Sequence, residues 1–265
     1  MASRAQQKEQ ARQRRLAEEQ ARAAQAQRQR RMMMLLGIVL IAVIVVGVAI
    51  VALTTGGSSS GPAINSSAGK AEAAKVDTLL RGIPQSGNRI GSTSAKVTVT
   101  EFGDLECPIC RDFALGAQQQ LIQNDVRSGK VAMVYRSLCT ATCNGPNQAV
   151  FPTQQAAAIA AGQQSLGWNY IELFYRLQGT EGTSYVTDGF LNGLAKKIPG
   201  LNYSQWLSAR SQNSLAAQVT ADQQAAQSAG FNSTPTLQIQ GPKGQTSLVG
   251  AVAYSDIESA IKKVS

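Results

Sequence analysis

The longest apolar run of the chain lies near its start. Residues 32–53, a stretch of 22 residues, carry no charged and no polar side chain. At about 1.5 Å per residue a helix of this length crosses the hydrocarbon core of a bilayer. A cleaved signal peptide is the competing interpretation, but its apolar region usually has about 7–15 residues and ends at a small-residue cleavage site. The pattern favours a transmembrane helix that stays in place as a signal anchor.

The two flanks of this run differ in composition. Residues 1–31 hold nine Arg and Lys and three Glu, which gives them +6 of the formal charge of +9. They contain no aromatic residue, so a nucleic-acid partner is not expected. Residues 54–75 are rich in Gly, Ser and Ala, as flexible linkers are. Because basic residues mark the cytoplasmic side of a membrane helix, we expect a cytoplasmic tail over 1–31, a linker over 54–75 and an extracytoplasmic domain over 76–265.

The pattern of residues 76–265 predicts an α/β domain. Alternating or β-branched stretches indicate strands, and a strand, a helix and a second strand in succession form a βαβ unit with a parallel pair. A turn at residues 241–244 joins the last two strands, and Ser255 with Glu258 forms a capping box at the start of a final helix. We therefore expect a four-stranded sheet with helices on both sides. The predicted strands are 95–102, 131–136, 236–240 and 247–252, and the first helix is 107–123.

A long helical segment separates the two parts of this sheet. Residues 137–229 contain no convincing strand, and their Ala-rich or amphipathic stretches predict an inserted helical domain. Four large side chains at helical spacing, which we expect to lie in the core, are Trp168, Ile171, Phe174 and Tyr175. The predicted helices are 153–163, 167–178, 187–198, 203–212 and 214–228.

Cys107 and Cys110 lie where the first predicted strand gives way to a helix. The positive end of a helix dipole favours a thiolate over a thiol, and Pro108 suits a first helical turn. Cysteines three residues apart on one helical face are close enough to form a disulfide. Half of a zinc site is the alternative interpretation of such a pair. The strand-to-helix context favours a redox-active pair.

The chain contains no histidine, which excludes Ser-His-Asp and Cys-His catalysis and every His-ligated metal site. We predict neither a metal nor a cofactor. The remaining cysteines, Cys139 and Cys143, lie in the loop after the second strand. A structural disulfide, an auxiliary redox relay, and free thiols or a metal site remain open for them. A four-thiolate zinc site that uses both pairs is conceivable but would distort the geometry of a redox-active pair.

Three features occur together and in order: Cys-Pro-Ile-Cys at 107–110 after a strand, Thr-Pro-Thr at 234–236 before a strand, and Glu101 six residues before Cys107. With these, residues 76–265 resemble the DsbA-like group of thioredoxin-fold thiol:disulfide oxidoreductases. The resemblance implies a thioredoxin-like fold with an inserted helical domain. It also implies that Pro235 is cis and packs against the cysteines, that Thr234 and Pro235 hold the substrate strand, and that Glu101 is a buried proton acceptor for Cys110.

One position departs from this resemblance. Oxidants of this group often carry His where this chain has Ile109, and Ile109 cannot donate a hydrogen bond to the Cys107 thiolate. We also expect Asp104 and Glu106 to oppose that thiolate. The pKa of Cys107 should therefore be lowered only moderately. The enzyme should be a weaker oxidant than DsbA, whose potential is about −120 mV.

Together these features predict a membrane-tethered, extracytoplasmic enzyme that introduces disulfides into exported proteins through Cys107 and Cys110. The resemblance implies that a DsbB-like or vitamin K epoxide reductase-like membrane protein reoxidises the pair. Two alternatives remain open. The first is a disulfide reductase or isomerase of the same fold. The second is a tethered, non-catalytic binding module.

Overall fold

The computed structural model describes Ile64 and residues 66–265. The predicted tail over 1–31 and the predicted transmembrane helix over 32–53 lie outside the described residues, as does half of the predicted linker over 54–75. Within the described part, no helix is both long enough and apolar enough to cross a bilayer.

The predicted linker does not extend to residue 75. Helix α1, Ser67–Leu80, covers its last part, and the Ser66 side chain accepts a hydrogen bond from the Gly69 amide at the start of that helix. Ala, Lys and Glu make up much of its sequence and are good helix formers. Val76, Leu79 and Leu80 bury its apolar face. The prediction was wrong for residues 67–75, because composition alone does not distinguish an Ala-rich linker from a helix that packs on a domain.

The sheet has six strands rather than four, in the order β1-β2-β4-β3-β5-β6. Strands β3 and β4 pair in parallel, as the βαβ prediction requires, and every other pair is antiparallel. The two strands that the sequence missed have two residues each, too few to show a period. The strands are β1 Gln85–Ser86, β2 Arg89–Ile90, β3 Val97–Gly103, β4 Val131–Ser137, β5 Thr236–Gly241 and β6 Gly244–Val249.

The predicted helix 107–123 is divided into three pieces. Helix α2, Pro108–Leu115, ends at Gly116, and α3, Ala117–Leu121, continues into a π-helical turn, Ile122–Val126. Gly116 has φ −113° and ψ −105°, and a Cβ there would lie 2.9 Å from the Asp112 carbonyl oxygen. The chain bends where the smallest residue permits it.

The helical insertion is present between β4 and β5. Trp168, Ile171, Phe174 and Tyr175 are all buried, which confirms their predicted place in the core. The indole of Trp168 donates a 2.9 Å hydrogen bond to the carbonyl of Asn88, so the insertion is anchored to the sheet side of the domain. Its helices are α4 Ala141–Asn144, a short 3₁₀ turn Gln148–Val150, α5 Phe151–Gly162, α6 Gly167–Arg176, α7 Asp188–Ala195, α8 Tyr203–Ala209 and α9 Asn213–Ser228.

The final helix, α10, Tyr254–Val264, begins one residue earlier than predicted and without the predicted capping box. Ala253 is the N-cap residue, and no side chain caps the helix. Ile257, Ala260 and Ile261 are buried, so the apolar face of this helix was predicted correctly.

Candidate active site

Cys107 lies at the point where β3 ends and α2 begins. It is the N-cap residue of α2, and its Sγ accepts a hydrogen bond from the Cys110 amide at 3.4 Å. The Cys107 thiol donates to the carbonyl oxygen of Thr234 at 3.5 Å. Cys107 and Cys110 are both free thiols, so the structure shows the dithiol form of the predicted redox pair.

The two thiols have opposite proton affinities. The pKa of Cys107 is lowered to about 6, foremost by a hydrogen bond with the Cys110 side chain, with the Thr234 side chain and the amides of Cys110 and Ile109 acting in the same direction against burial. Burial, and then Cys107, raise the pKa of Cys110 well above its ordinary value. At neutral pH the site therefore holds one thiolate and one thiol, and the thiolate belongs to the less deeply buried residue.

The expected opposition from Asp104 and Glu106 is not among the main causes that set the pKa of Cys107. The Asp104 carboxylate is fully buried, and it accepts hydrogen bonds from the Glu106 amide and from the amides of Thr140 and Thr142. Burial raises the pKa of Glu106 to about 7, so much of its charge is absent at neutral pH. The opposing effect of Asp104 and Glu106 on the Cys107 thiolate stays a prediction.

Glu101 lies on β3 with no exposed surface, as the resemblance implies. Neither of its carboxylate oxygens has a hydrogen-bond partner among the described residues. Burial raises its pKa well above the ordinary value, and the charges of Glu172 and Cys107 act in the same direction. Burial therefore favours the protonated form of Glu101, close to a cysteine pair whose buried thiol also has a raised pKa.

Glu172, which sequence reasoning missed, comes from α6 of the helical insertion. It is fully buried, and Gln118 donates a 2.7 Å hydrogen bond to its Oε1. Burial raises its pKa to about 7. Its only signal in the sequence was that it is the single acidic residue of a helix rich in aromatic and apolar side chains, and nothing there indicated that it would lie near Glu101.

Gly103 is the point where the buried polar groups of β3, β4 and α6 approach each other. A Cβ at this position would lie 2.7 Å from the Tyr135 ring, 3.1 Å from the Tyr175 hydroxyl and 3.1 Å from Oε1 of Glu101. The Tyr175 hydroxyl donates to the Asp104 carbonyl at 3.4 Å. A side chain at residue 103 would therefore displace the groups that surround the cysteine pair.

Pro235 follows a cis peptide bond, which confirms the predicted isomer. Its carbonyl accepts a 2.8 Å hydrogen bond from the Gly250 amide. Strand β5 begins at the next residue and pairs with β3, which brings Thr234 to Cys107 across 127 positions of sequence. The structure therefore brings Thr234, the residue before Pro235, to Cys107, while the roles of Glu101, Thr234 and Pro235 stay predictions.

Cys139 and Cys143 form a disulfide with a Cα–Cα distance of 5.6 Å. Of the alternatives that the sequence left open for this pair, free thiols and a zinc site formed by both pairs are excluded in this form, because the two sulfurs are bonded to each other. The described residues contain no group of three or more His, Cys, Asp or Glu that could hold a metal ion. Cys143 is exposed and Cys139 is half-buried.

Comparison with known proteins agrees with this geometry. Residues 85–263 match the family model described as thioredoxin. The chain is 23% identical over 156 residues to a probable disulfide bond formation protein D of Bacillus anthracis, which covers 57% of this chain and 69% of that protein. It is also 23% identical over 174 residues to disulfide bond formation protein D of Bacillus subtilis, which covers 66% of this chain and 75% of that protein.

Solved structures share the fold. Oxidised BdbD from Bacillus subtilis has a TM-score of 0.57 and 22% identity, over 68% of this chain and 97% of that chain. DsbA2 from Pseudomonas aeruginosa has a TM-score of 0.52 and 22% identity, over 69% of this chain and 96% of that chain. The chain belongs to the thioredoxin family, as a DsbA-like thiol:disulfide oxidoreductase with a helical insertion.

Proposed function

We propose that this chain is a membrane-tethered, extracytoplasmic oxidoreductase that introduces disulfides into exported proteins through Cys107 and Cys110. The observation that carries the proposal is the asymmetry of the pair, in which the pKa of Cys107 is lowered to about 6 and that of Cys110 is raised. A stabilised Cys107 thiolate favours the reduced enzyme, which makes its disulfide oxidising. The same asymmetry gives the two sulfurs different roles.

The first step is attack on Cys107. In the oxidised enzyme a substrate thiolate attacks the Cys107 sulfur, which forms a mixed disulfide and breaks the bond to Cys110. Cys110 leaves as a thiolate at a position with no exposed surface. An unpaired buried charge is costly, so this thiolate needs a proton at once.

Glu101 is suited to supply that proton. Burial raises its pKa and so favours its protonated form, which acts as a proton donor to Cys110 in the oxidising direction. In the reverse direction, when the enzyme itself is reoxidised, the resulting carboxylate accepts the proton of Cys110. The role of proton acceptor that the resemblance implies for Glu101 therefore belongs to the second half of the cycle.

The second step releases the product. A second substrate thiolate attacks the substrate sulfur of the mixed disulfide, the substrate disulfide forms, and Cys107 leaves as its stabilised thiolate. Two electrons have then moved from the substrate to the dithiol form of the enzyme. Thr234 and Pro235 form the loop that faces the Cys107 sulfur, and we assign the substrate backbone to this loop.

The chain outside the described residues completes the proposal. Residues 1–31 form a cytoplasmic tail, residues 32–53 a single membrane helix, and the linker ends where α1 begins at Ser67. Two observations support this arrangement: the basic flank, and the 22-residue apolar run of the sequence. A DsbB-like or vitamin K epoxide reductase-like membrane protein then removes the electrons from the dithiol. The two Bacillus relatives are named for disulfide bond formation, which agrees with the oxidising direction.

The test is oxidation of a reduced, unfolded protein by the full-length chain in its disulfide form. We expect Cys107→Ser and Cys110→Ser both to abolish oxidation, because neither variant can form the Cys107–Cys110 disulfide. When a disulfide-containing substrate is added instead, Cys110→Ser should accumulate mixed disulfides through Cys107, because no resolving thiol remains. Full activity of Cys107→Ser would instead indicate a binding module whose cysteines are not catalytic. A chain that reduces or rearranges disulfides, but does not form them, would favour the reductase or isomerase alternative.

A further inference from the structure

The loop closed by the Cys139–Cys143 disulfide contacts both sides of the cysteine site. We call residues 139–143 the disulfide loop. Its Thr140 and Thr142 amides each donate to Oδ2 of Asp104 at 2.9 Å, and the Thr142 hydroxyl donates to Oδ1 at 2.6 Å. The Thr140 hydroxyl also shares a hydrogen bond with the Thr234 hydroxyl. One small loop therefore touches the turn before Cys107 and the loop before Pro235.

The contact with Asp104 organises the start of the active-site helix. The Asp104 carboxylate has no exposed surface and accepts four hydrogen bonds, three of them from the disulfide loop. A buried carboxylate without such donors is strongly destabilising. The carbonyl of the same residue accepts the Cys107 amide at 3.0 Å. The disulfide loop thus stabilises the turn that presents Cys107.

The contact with Thr234 reaches the reactive sulfur itself. In the thiol form, Cys107 donates to the Thr234 carbonyl. In the thiolate form, a hydrogen bond from the Thr234 side chain is one of the causes that lower the pKa of Cys107. A threonine hydroxyl has a single proton to donate. When the Thr140 hydroxyl donates to Oγ1 of Thr234, the Thr234 hydroxyl can donate its own proton to the Cys107 sulfur. Hydrogen bonds linked in this way strengthen one another.

The disulfide holds this loop in place. Helix α4 within it has four residues, which is far too short to be stable by itself. Gln154 from α5 adds a 2.8 Å hydrogen bond to the Thr142 hydroxyl, but no such contact from α5 fixes Thr140. The bond between Cys139 and Cys143 closes the loop directly around Thr140.

We propose that the disulfide loop is a positioning element for Cys107, in which the Cys139–Cys143 bond fixes Thr140 and Thr140 directs the Thr234 hydroxyl to the Cys107 sulfur. Thr140 acts through Thr234 and is a positioning residue, not a catalytic one. This inference rests on the proposed function, since it assigns a control of the same cysteine pair. It also gives the second cysteine pair a role in reactivity beyond local stability.

The test is a pH titration of Cys107 in the reduced, full-length chain, followed by the rate of alkylation of the thiolate. We expect Thr140→Val to raise the pKa of Cys107 by about one unit, a tenfold change in the ratio of thiolate to thiol. Thr140→Ser keeps the hydroxyl and should titrate like the wild type. Thr220→Val is the control, because the exposed Thr220 hydroxyl donates to the Ala216 carbonyl of its own helix, α9. This variant should leave the titration of Cys107 unchanged.

A double variant, Cys139→Ala with Cys143→Ala, tests the disulfide separately. It keeps Thr140 but opens the loop, and we expect its Cys107 pKa to shift in the same direction as that of Thr140→Val. If the double variant does not fold, Thr140→Val and Thr140→Ser still test the role of Thr140. Serine keeps the hydroxyl that contacts Thr234, and valine lacks it.

Three outcomes of these titrations would each contradict a different part of the account. A wild type that titrates near 6 and oxidises substrates, with an unshifted Thr140→Val, overturns the role of Thr140 and leaves the proposed function intact. A wild-type Cys107 that titrates like a free thiol, in a chain that oxidises no substrate, contradicts the proposed function itself. An unshifted titration in a folded double variant overturns the part assigned to the disulfide.

Discussion

At the scale of single residues, the chemistry depends on the difference between two cysteines of one helical turn. Cys107 has the amides of the α2 N-terminus and the Thr234 loop around its sulfur, whereas burial, Cys107 and Glu101 all raise the pKa of Cys110. The sequence predicted the direction of the Cys107 shift from its place at a helix N-terminus. It did not predict the contributions of Cys110 and Thr234, because these depend on where two side chains point.

The lowered pKa of Cys107 links stability to pH. Its thiol is deprotonated in the folded, reduced chain above about 6, against an ordinary 9.0. The stability that ionisation of Cys107 contributes is fully present at a pH above the ordinary pKa of 9.0, and it is lost as the pH falls through about 6. We expect the free energy of unfolding of the reduced wild type to exceed that of reduced Cys107→Ser by an amount that grows over this window to about 4 kcal/mol at most.

Chemical denaturation of both reduced proteins at several pH values measures this difference. The comparison between the two proteins cancels the opposite pH dependence of Glu172, whose raised pKa makes the folded chain lose stability as the pH rises. A difference that shrinks between pH about 6 and 9 would contradict the assignment of the thiolate to Cys107.

Ile109 is the residue at which a hydrogen-bond donor can be added to the site. It is 46% exposed, and its amide already contributes to the low pKa of Cys107. We expect Ile109→His to lower that pKa further by about one unit, the size of one added hydrogen bond, and to raise the reduction potential. Thiolate titration and equilibration with glutathione measure the two quantities. Leu207→His, at an exposed position of α8, is the control and should change neither.

The contribution of Glu101 as a proton donor can be measured from the rate at which a small thiol reduces the Cys107–Cys110 disulfide. We expect Glu101→Gln to slow this rate by about 100-fold, at the lower end of general acid catalysis. Once the rate is corrected for the thiolate fraction of the small thiol, the variant should also lose the pH dependence that the titration of Glu101 adds. Glu258→Gln on α10 makes the same chemical change away from the cysteines. A Glu101→Gln enzyme with the rate and pH profile of the wild type would remove Glu101 from the mechanism.

At the scale of elements, the end of β3 is where packing constrains the site most tightly. Gly103→Ala would place a Cβ 2.7 Å from the Tyr135 ring. We expect this substitution to destabilise the chain by about 1–3 kcal/mol and to reduce oxidation of substrates. Gly189→Ala on α7, where the nearest side-chain atom is 3.6 Å away, should be neutral or stabilising. Thermal denaturation of the two variants checks this contrast, and equal stabilities would contradict it.

Elements with a strong period were predicted well, and those set by contacts were not. The pattern of β3, β4 and the longer helices of the insertion was sufficient, because each carries an alternating, Ala-rich or amphipathic sequence over several turns or strand residues. Strands β1 and β2 and the break at Gly116 were missed, since two-residue pairings and bends depend on their neighbours. The start of α10 was also missed, since the helix begins at Tyr254 and no capping box forms at Ser255.

At the scale of the whole molecule, the sequence identified a site assembled from distant segments. The resemblance brought Glu101, Cys107, Cys110 and Pro235 together before the sheet order was known. Glu172 and the hold of Thr140 on Thr234 could not be found this way, because they arise from how the insertion and the disulfide loop lie against the sheet.

The proposed topology also has a direct test. In intact cells, an added protease should reach the linker that precedes Ser67 and leave residues 1–31 undigested, because the membrane protects the cytoplasmic side. Tags at the two ends report which part remains. Digestion of the tail together with protection of the C-terminal domain would reverse the orientation and remove the role in exported proteins.

The central claim is that Cys107 and Cys110 form a redox pair that is kept oxidised in order to form disulfides. Rapid thiol trapping in intact cells that produce the full-length chain, with Cys139→Ala and Cys143→Ala as a companion variant to identify the pair, measures this most directly. The account predicts that Cys107 and Cys110 are mostly disulfide-bonded at steady state. A pair that is trapped mostly as free thiols would contradict it and indicate a reductase or isomerase.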